Sequence, residues 1–141
     1  MEGFVPLNAL EQALWGTINT TSAVTNLLAG TVSIYNLMVP RNQIYPVVVF
    51  GLYAGGDANE TPRRRKDLLY TVKAITATSM QAAGAIDAQV DAILHNKALV
   101  VAGWTNYWLA RERDIAYHET TPEGREYWHC GGIYRIRLNP S

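Results

Sequence analysis

The sequence predicts an α+β fold, with an antiparallel or mixed β-sheet, two main helices packed against it and one long exposed loop. Two stretches carry apolar residues at spacings of three and four. Other segments are rich in β-branched and aromatic residues and are joined by short turns. With 141 residues, 48% of them hydrophobic, the chain is long enough for one domain with its own core over positions 1–141.

The first helix is predicted near the N-terminus by a stripe of apolar residues on one helical face: Leu7, Leu10, Leu14 and Ile18. Asn8 is placed to cap this helix, with Glu11 three residues later. The stretch TSAVTNLLAG predicts a second, short turn or helix that ends at Gly30.

Strands and a loop are predicted for the middle of the chain. TVSIYN predicts a short strand and LMVPRNQIYP a loop with two prolines. YPVVVFGLY predicts a strand covered on both faces, because β-branched residues follow one another without alternation. AGGDANETPRRRK, positions 54–66, is glycine-rich and then polar and basic, which predicts the long exposed loop. The next strand, KDLLYTVKAITATS, places four apolar residues on one face: Leu68, Tyr70, Val72 and Ala74.

The second main helix is predicted to begin after Ser79, with Asn96 as its end. Its apolar stripe consists of Ala83, Ile86, Val90, Ile93 and Leu94. ALVVAGWTNYWLARERDIAY predicts one long strand or two broken ones, and REYWHCGGIYRIRL a closing strand. Gly131 and Gly132 indicate a bulge or a close approach of two backbones in that strand.

His129 and Cys130 stand side by side and raise the question of a reactive or metal-binding pair. Neighbours on a strand point to opposite faces, so the two side chains are not expected to converge on one ligand or one substrate. The three histidines show no zinc spacing, and Cys130 has no second cysteine as a partner. We therefore predict no metal, no cofactor and a structural cysteine.

Charge and hydropathy narrow the class of protein further. The 12 basic and 12 acidic residues cancel, so no global field draws the chain to nucleic acid or to an anionic membrane. No apolar run is long enough for a membrane span, and the start of the chain lacks the basic region of a signal peptide. The mixed charges of RERD and PEGRE are interpreted as surface ion pairs. A cytosolic, soluble product is expected.

Two features leave alternatives open. The basic run TPRRRK, Thr61 to Lys66, fits a solvated loop, a contact with an acidic protein partner, or a contact with nucleic acid phosphates. The aromatic residues of the C-terminal part fit either sheet packing or a protein interface, where aromatic residues and arginine are enriched: Trp104, Tyr107, Trp108, Tyr127, Trp128 and Tyr134.

An ordered set of segments spans Leu7 to Leu138. LEQALWGTI is followed by LLAGTVSIYN, YPVVVFGL, a basic variable loop, DLLYTVKAIT and QAAGAIDAQVDAIL. Gly103-Trp104 then leads to RERD and to a final hairpin. The whole set resembles the tail-completion or tail-terminator proteins of long-tailed bacteriophages.

The resemblance implies a structural virion protein rather than an enzyme, made in the host cytoplasm and located at the tail–neck junction. Several copies, usually six, would form a ring that ends tail-tube polymerisation and joins the tail to the head connector. The implied partners are further copies of the chain, the tail tube protein and the connector or stopper protein, with possible passing contact with DNA. The candidate contact residues are Asp57, Glu60, Arg63, Arg64, Arg65, Lys66, Trp104, Arg111 and Arg113.

Three rival functions belong to other classes. The chain could be another neck protein, such as a stopper or adaptor, for which the same size and a loop-rich α+β fold would also serve. It could be a small hydrolase or thiol enzyme that uses Cys130, or a nucleic-acid module built on Arg63, Arg64 and Arg65.

Overall fold

Three helices and one six-stranded sheet make up the part of the chain that the computed structural model describes, residues 6–29, 33–41, 43–59 and 64–140. The helices are α1 (Pro6–Asn19), α2 (Ser22–Thr25) and α3 (Met80–Leu94). The strands are β1 (Ile34–Asn36), β2 (Val47–Asn59), β3 (Arg64–Thr76), β4 (Val100–Val101), β5 (Trp104–Thr120) and β6 (Glu126–Pro140). The α+β class is as predicted, although α2 adds a third helix to the two main ones.

The sheet is mixed and strongly curled. Its strand order is β1-β2-β3-β6-β5-β4, in which β1 runs parallel to β2 and the other pairs are antiparallel. Helix α1 contacts both β1 and β4, the two outermost strands. Since the edges of the sheet approach the same helix, the sheet wraps around the helical layer.

The helices cover one face of the sheet, and their apolar stripes explain why. Leu10, Leu14 and Ile18 of α1 are fully buried, as are Ala83 and Leu94 of α3. They pack on the inward-facing residues of the strands, among them Phe50, Leu68, Tyr70, Val72, Ala74, Tyr134, Ile136 and Leu138. The predicted inward face of β3 is confirmed by this cluster.

The helix boundaries follow local chemistry. In α3 the Ser79 hydroxyl accepts a hydrogen bond from the Ala82 amide at 3.1 Å, which satisfies one free donor of the first turn. That helix ends at Leu94, two residues before Asn96, which adopts a left-handed φ of 59°. Helix α1 starts at Pro6, so the expected cap at Asn8 was wrong: Asn8 lies inside the first turn, where the fixed φ of proline favours an earlier start.

The start of β2 is covered on both faces, as the run of valines predicted. Val48 and Phe50 face the helices, while Val47 and Val49 pack on the other face beneath Val39, Tyr45 and Tyr127. Val39 and Tyr45, which lie between β1 and β2, therefore cover the outer face of the sheet at the start of β2.

The long loop predicted for positions 54–66 was wrong. Ala54–Asn59 continue β2 and Arg64–Lys66 begin β3, and the two stretches pair from Ala54 with Leu69 to Asn59 with Arg64. Strand β3 is itself held by β6 as far as Lys66 opposite Leu138, so it supplies a hydrogen-bonding template for the glycine-rich residues of β2. Local propensity is overruled by these pairings.

Two register shifts in β5 decide which of its side chains face the helices. The pairing with β6 slips at Tyr107 and again at Glu112. Each slip reverses the inward and outward alternation, because an extra residue is inserted into one strand only. Arg111 consequently points under α3, opposite Tyr134.

The glycine pair of β6 marks a close approach of backbones, as expected, while the bulges themselves lie in β5. A Cβ at Gly131 would collide with the backbone of Val72 and Lys73 in β3. A Cβ at Gly132 would lie 2.5 Å from Nε of Arg111. Both positions therefore need the smallest residue.

Candidate functional site

The face of the sheet away from the helices carries a network of charged side chains. Arg135 bonds Asp67 at 2.7 Å and Glu112 at 2.8 Å, and Arg137 lies 3.7 Å from Asp67. These hydrogen bonds to Glu112 and Asp67 raise the pKa of Arg135. Each pair is partly exposed and contributes little stability by itself, but the network joins β3, β6 and β5 side by side.

Cations lie over aromatic rings at the end of the sheet where β2 turns into β3. The Cζ atom of Arg65 is 5.6 Å from the centre of the Tyr107 ring, and that of Arg137 is 5.4 Å from the Trp108 ring. Tyr107 and Trp108 are both exposed, although adjacent, because the bulge interrupts the alternation of β5. We call this surface the basic rim, formed by Arg65, Tyr107, Trp108 and Arg137. Its composition is typical of protein interfaces.

The opposite end of the sheet carries the turn from β5 to β6, where three glutamates outnumber the single arginine, Arg125. We call Glu119, Glu123 and Glu126 the acidic rim; all three are exposed. Glu126 lies 3.2 Å from the ring of His118, and the turn is closed by a hydrogen bond from the Thr121 amide to the Arg125 carbonyl at 2.8 Å. The subunit therefore has two chemically different ends.

His129 is buried beneath the acidic rim. Its Nε2 atom is 2.8 Å from Glu119, and its ring stacks on Tyr117 with a centroid distance of 4.2 Å. The Tyr117 hydroxyl accepts a hydrogen bond from Lys73 at 2.7 Å. Burial lowers the pKa of His129, and it outweighs the opposing effect of the hydrogen bond that Nε2 donates to Glu119. The imidazole is thus held neutral and serves to pack the hairpin.

Arg111 forms a nearly enclosed ion pair beneath α3. It bonds both carboxylate oxygens of Asp87, at 2.8 and 3.0 Å, and donates to the Gly131 carbonyl at 2.6 Å. Burial lowers the pKa of Arg111, but the hydrogen bonds to Asp87 and Tyr134 and the nearby Asp87 charge together outweigh it, so the net direction is upward. With side chains only 13% and 12% exposed, this pair is not the surface pair expected for RERD.

Cys130 lies on the face of β6 opposite to His129, as the alternation predicted. Its sulfur is 3.7 Å from Asp87, next to the Arg111 pair. Burial, and then the nearby Asp87 carboxylate, raise the pKa of the Cys130 thiol. The geometry therefore offers neither a nucleophile–base pair nor an activated thiolate.

Within residues 6–29, 33–41, 43–59 and 64–140, no group of three or more His, Cys, Asp or Glu side chains is arranged to hold a metal ion. Among the helices of residues 6–29 and 64–140, none combines the length and apolarity needed to cross a bilayer.

The predicted contact residues fall into three groups. Arg65 and Lys66 lie at the start of β3, and Arg113 is exposed on the outer face of β5. Trp104 packs against the edge of the main core, and Arg111 is turned inward to Asp87. Asp57 and Arg64 belong to β2 and β3, although their side chains are not described, and Glu60 and Arg63 lie outside the described residues.

The structure also brings together residues that were not among the candidates. Asp67, Glu112, Arg135 and Arg137 meet only through the strand order, in which β6 lies between β3 and β5. The alternation of Arg and apolar residues in IYRIRL was the available signal, since it places both arginines on one face.

The same fold occurs in a solved structure of a virion particle. A chain of the structure described as "Virion of native gene transfer agent (GTA) particle" shares the fold, with a TM-score of 0.79 and 17% sequence identity over 97% of this chain and 99% of that chain. Among curated protein sequences, none matches this chain.

The sequence itself places the chain within a family. The family described as tail completion protein gp17 matches residues 12–126, and the chain belongs to it. This confirms the resemblance drawn from the ordered segments. The family is one of structural phage tail proteins, not of enzymes.

Proposed function

We propose that copies of this chain form a closed ring on the head-proximal end of the phage tail tube, where the ring ends tube polymerisation and joins the tail to the head connector. Six copies are the number expected for such a ring. The proposal rests on membership of the tail completion family, together with a subunit whose two ends differ in charge.

A closed ring requires a heterologous interface, in which two different patches of one subunit meet. The sheet offers two different outer edges, β1 with β2 on one side and β5 with β4 on the other. The basic and acidic rims lie at opposite ends of the strands, so every subunit of a ring would present one rim upward and the other downward. Two chemically different surfaces suit a ring that meets the tube on one side and the connector on the other.

The ring is tested with the purified protein. Light scattering coupled to size exclusion and negative-stain microscopy should show rings with a central hole, and addition of the protein to growing tail tubes should stop their elongation. Only monomers at micromolar concentration, with tubes that continue to grow, would contradict the proposal. Immunogold labelling at the neck rather than at the tube end would favour a stopper or adaptor.

The basic rim is proposed to meet an acidic surface of a partner protein. Charge reversal at Arg65 and Arg137, the two arginines of this rim, should abolish tail joining in an extract that lacks the protein. Arg41→Glu, an exposed residue in the segment before β2, is the matched control and should join tails normally. Tail joining that survives both reversals would remove this assignment. Loss of DNA retention with normal joining would assign the rim to DNA instead.

A further inference from the structure

We infer that the ring is closed by β-sheet pairing, in which the open edge of β2 in one copy pairs with the open edge of β5 in the next. This inference rests on the proposed ring and adds its subunit contact.

The edge of β2 is open over most of its length. Strand β1 pairs only with Val48–Phe50, and no strand of the described ranges pairs with that edge from Leu52 to Asn59. The Val48 amide donates to the Ser33 carbonyl and the Phe50 carbonyl accepts from the Leu37 amide, so at the start of β2 the backbone groups of the even-numbered residues point away from β3. After the register shift at Tyr53, the backbone groups of the odd-numbered residues point away from β3 instead. The backbone groups of Gly55, Asp57 and Asn59 therefore point outward.

The edge of β5 is covered near its start and open near its end. Strand β4 pairs with Trp104 and Thr105. The Leu109 carbonyl accepts from the Asn96 amide at 2.8 Å, and the Arg111 amide donates to Nδ1 of His95 at 3.0 Å. Beyond Arg113, none of the described strands or loops pairs with this edge. After the second bulge, the outward groups are those of Asp114, Ala116, His118 and Thr120.

The two openings lie at opposite ends of the sheet, so neighbouring copies must be displaced along the strands. The direction of pairing is fixed, because β2 and β5 run in opposite directions within one copy and similarly oriented copies therefore meet antiparallel. Gly55 and Ala116 are both on the face of the sheet that the helices cover, and the backbone groups of both point to an open edge. Pairing them therefore joins the same faces of the two sheets and brings free donors and acceptors together. Within one copy, Gly55 is level with Leu68 of β3, and Ala116 is level with Ala74 of β3 through Cys130. Because Leu68 and Ala74 are six residues apart, this register displaces neighbouring copies by six residues along the strands.

The size of that displacement favours a closed barrel. Six residues correspond to about 20 Å along the strands, and four long strands span about 19 Å across them. The strands would then tilt by about 45° from the ring axis, within the range of closed β-barrels. Pairing Asp57 with Ala116 instead displaces the copies by eight residues and gives about 54°, which is steeper than such barrels. Pairing Gly55 with Asp114 displaces the copies by four residues and gives about 35°, but it places Asn59 opposite Ala110, where His95 and Asn96 already cover the β5 edge. The tilt and the open stretch of β5 together therefore favour Gly55 opposite Ala116.

Exposed apolar side chains lie beside the open edge of β2. Leu52, Tyr53 and Leu37 are 38%, 61% and 66% exposed and border one shallow groove. A long, open edge flanked by exposed apolar side chains is a site of unwanted strand pairing unless a partner covers it. The next copy in the ring provides that cover and also ends further pairing once the ring closes.

Cysteine pairs test the register. In a Cys130→Ser background, Gly56→Cys and Ile115→Cys lie directly opposite each other in the inferred register, and a Cβ at Gly56 meets no atom within 4 Å. Mild oxidation should give a covalent ladder that ends at the ring's copy number on a non-reducing gel. The control pair, Gly56→Cys with Gly84→Cys on α3, should give none. Rings that are visible by microscopy but yield no ladder would overturn this inference and leave the ring intact.

A backbone variant gives an independent readout. The Ala116 amide points outward, so Ala116→Pro removes a donor between copies while keeping the pairing of β5 with β6. We expect an unfolding midpoint close to that of the unassembled parent chain together with a loss of rings by at least tenfold in assembly concentration. A folded Ala116→Pro variant that assembles normally would contradict the edge pairing. Absence of rings in the unmutated protein would instead refute the proposed function.

Discussion

Gly132→Ala should remove the buried ion pair of Arg111 by occupying its space. A Cβ at Gly132 would lie 2.5 Å from Nε and 2.8 Å from Cζ of Arg111. A flexible side chain often yields to such a clash, but this one is held by two hydrogen bonds to Asp87 and one to the Gly131 carbonyl. Relief of the clash therefore requires the guanidinium to leave Asp87.

The expected loss follows from the burial of that pair. Removing one partner of a buried ion pair costs roughly 3–5 kcal/mol, because the other charge is left without a counter-charge. Arg111 also lies 2.8 Å from the exposed Asp114, and a displaced guanidinium can keep that contact. We therefore expect Gly132→Ala to lower the free energy of unfolding by about 2–4 kcal/mol. For a domain of this size, that lowers the Tm by about 10 °C.

Urea denaturation of the monomeric chain measures the effect, with Gly84→Ala as the matched control. A Cβ at Gly84 meets nothing within 4 Å, and alanine in the middle of α3 should raise stability by about 0.5–1 kcal/mol. The same Gly132→Ala change in an Arg111→Met background should cost much less. A loss below about 0.5 kcal/mol, or an equal loss in both backgrounds, would refute the steric reasoning.

Three further predictions concern single groups. Ser79→Ala should cost about 1 kcal/mol by removing the cap of α3, whereas Ser79→Asp keeps the acceptor and should cost little; a loss shared by both would point to another cause. Native Cys130 should be alkylated by iodoacetamide at least about tenfold more slowly than in urea at pH 7.5, because burial raises its pKa; equal rates by mass spectrometry would contradict this. Burial lowers the pKa of His129 below its ordinary 6.5, so its contribution to stability is present at neutral pH and is lost as pH falls below about 6.5. Denaturation at pH 7 and 5.5 should show a shallower decline for His129→Gln, and an unchanged decline would rule out His129 as the group responsible.

The helices and the buried face of β3 could be read from the sequence because their signals are local. Leu10, Leu14 and Ile18 recur at the helical period, and Leu68, Tyr70 and Val72 alternate at the strand period. A periodic apolar stripe can be buried in only one way, so the structure buries the residues that the pattern selects.

The extension of β2 and β3 and the orientation of Arg111 could not be read in the same way. Gly55 and Gly56 have little preference for a strand, and they are ordered by pairing with Leu68 and Asp67. The residues of RERD do not predict the bulge at Glu112. A bulge is an extra residue relative to the partner strand, so it can be recognised only once the pairing with β6 is known.

By itself the sequence determined the class of fold, the two apolar helical stripes, the opposite orientations of His129 and Cys130, and the family. These properties depend on periodicity and on the order of segments along the chain. Only the tertiary structure decided that positions 54–59 form a strand, that Arg111 is buried against Asp87, and that β2 and β5 keep open edges at opposite ends. Each of these depends on hydrogen bonds between residues far apart in sequence, which local pattern does not encode.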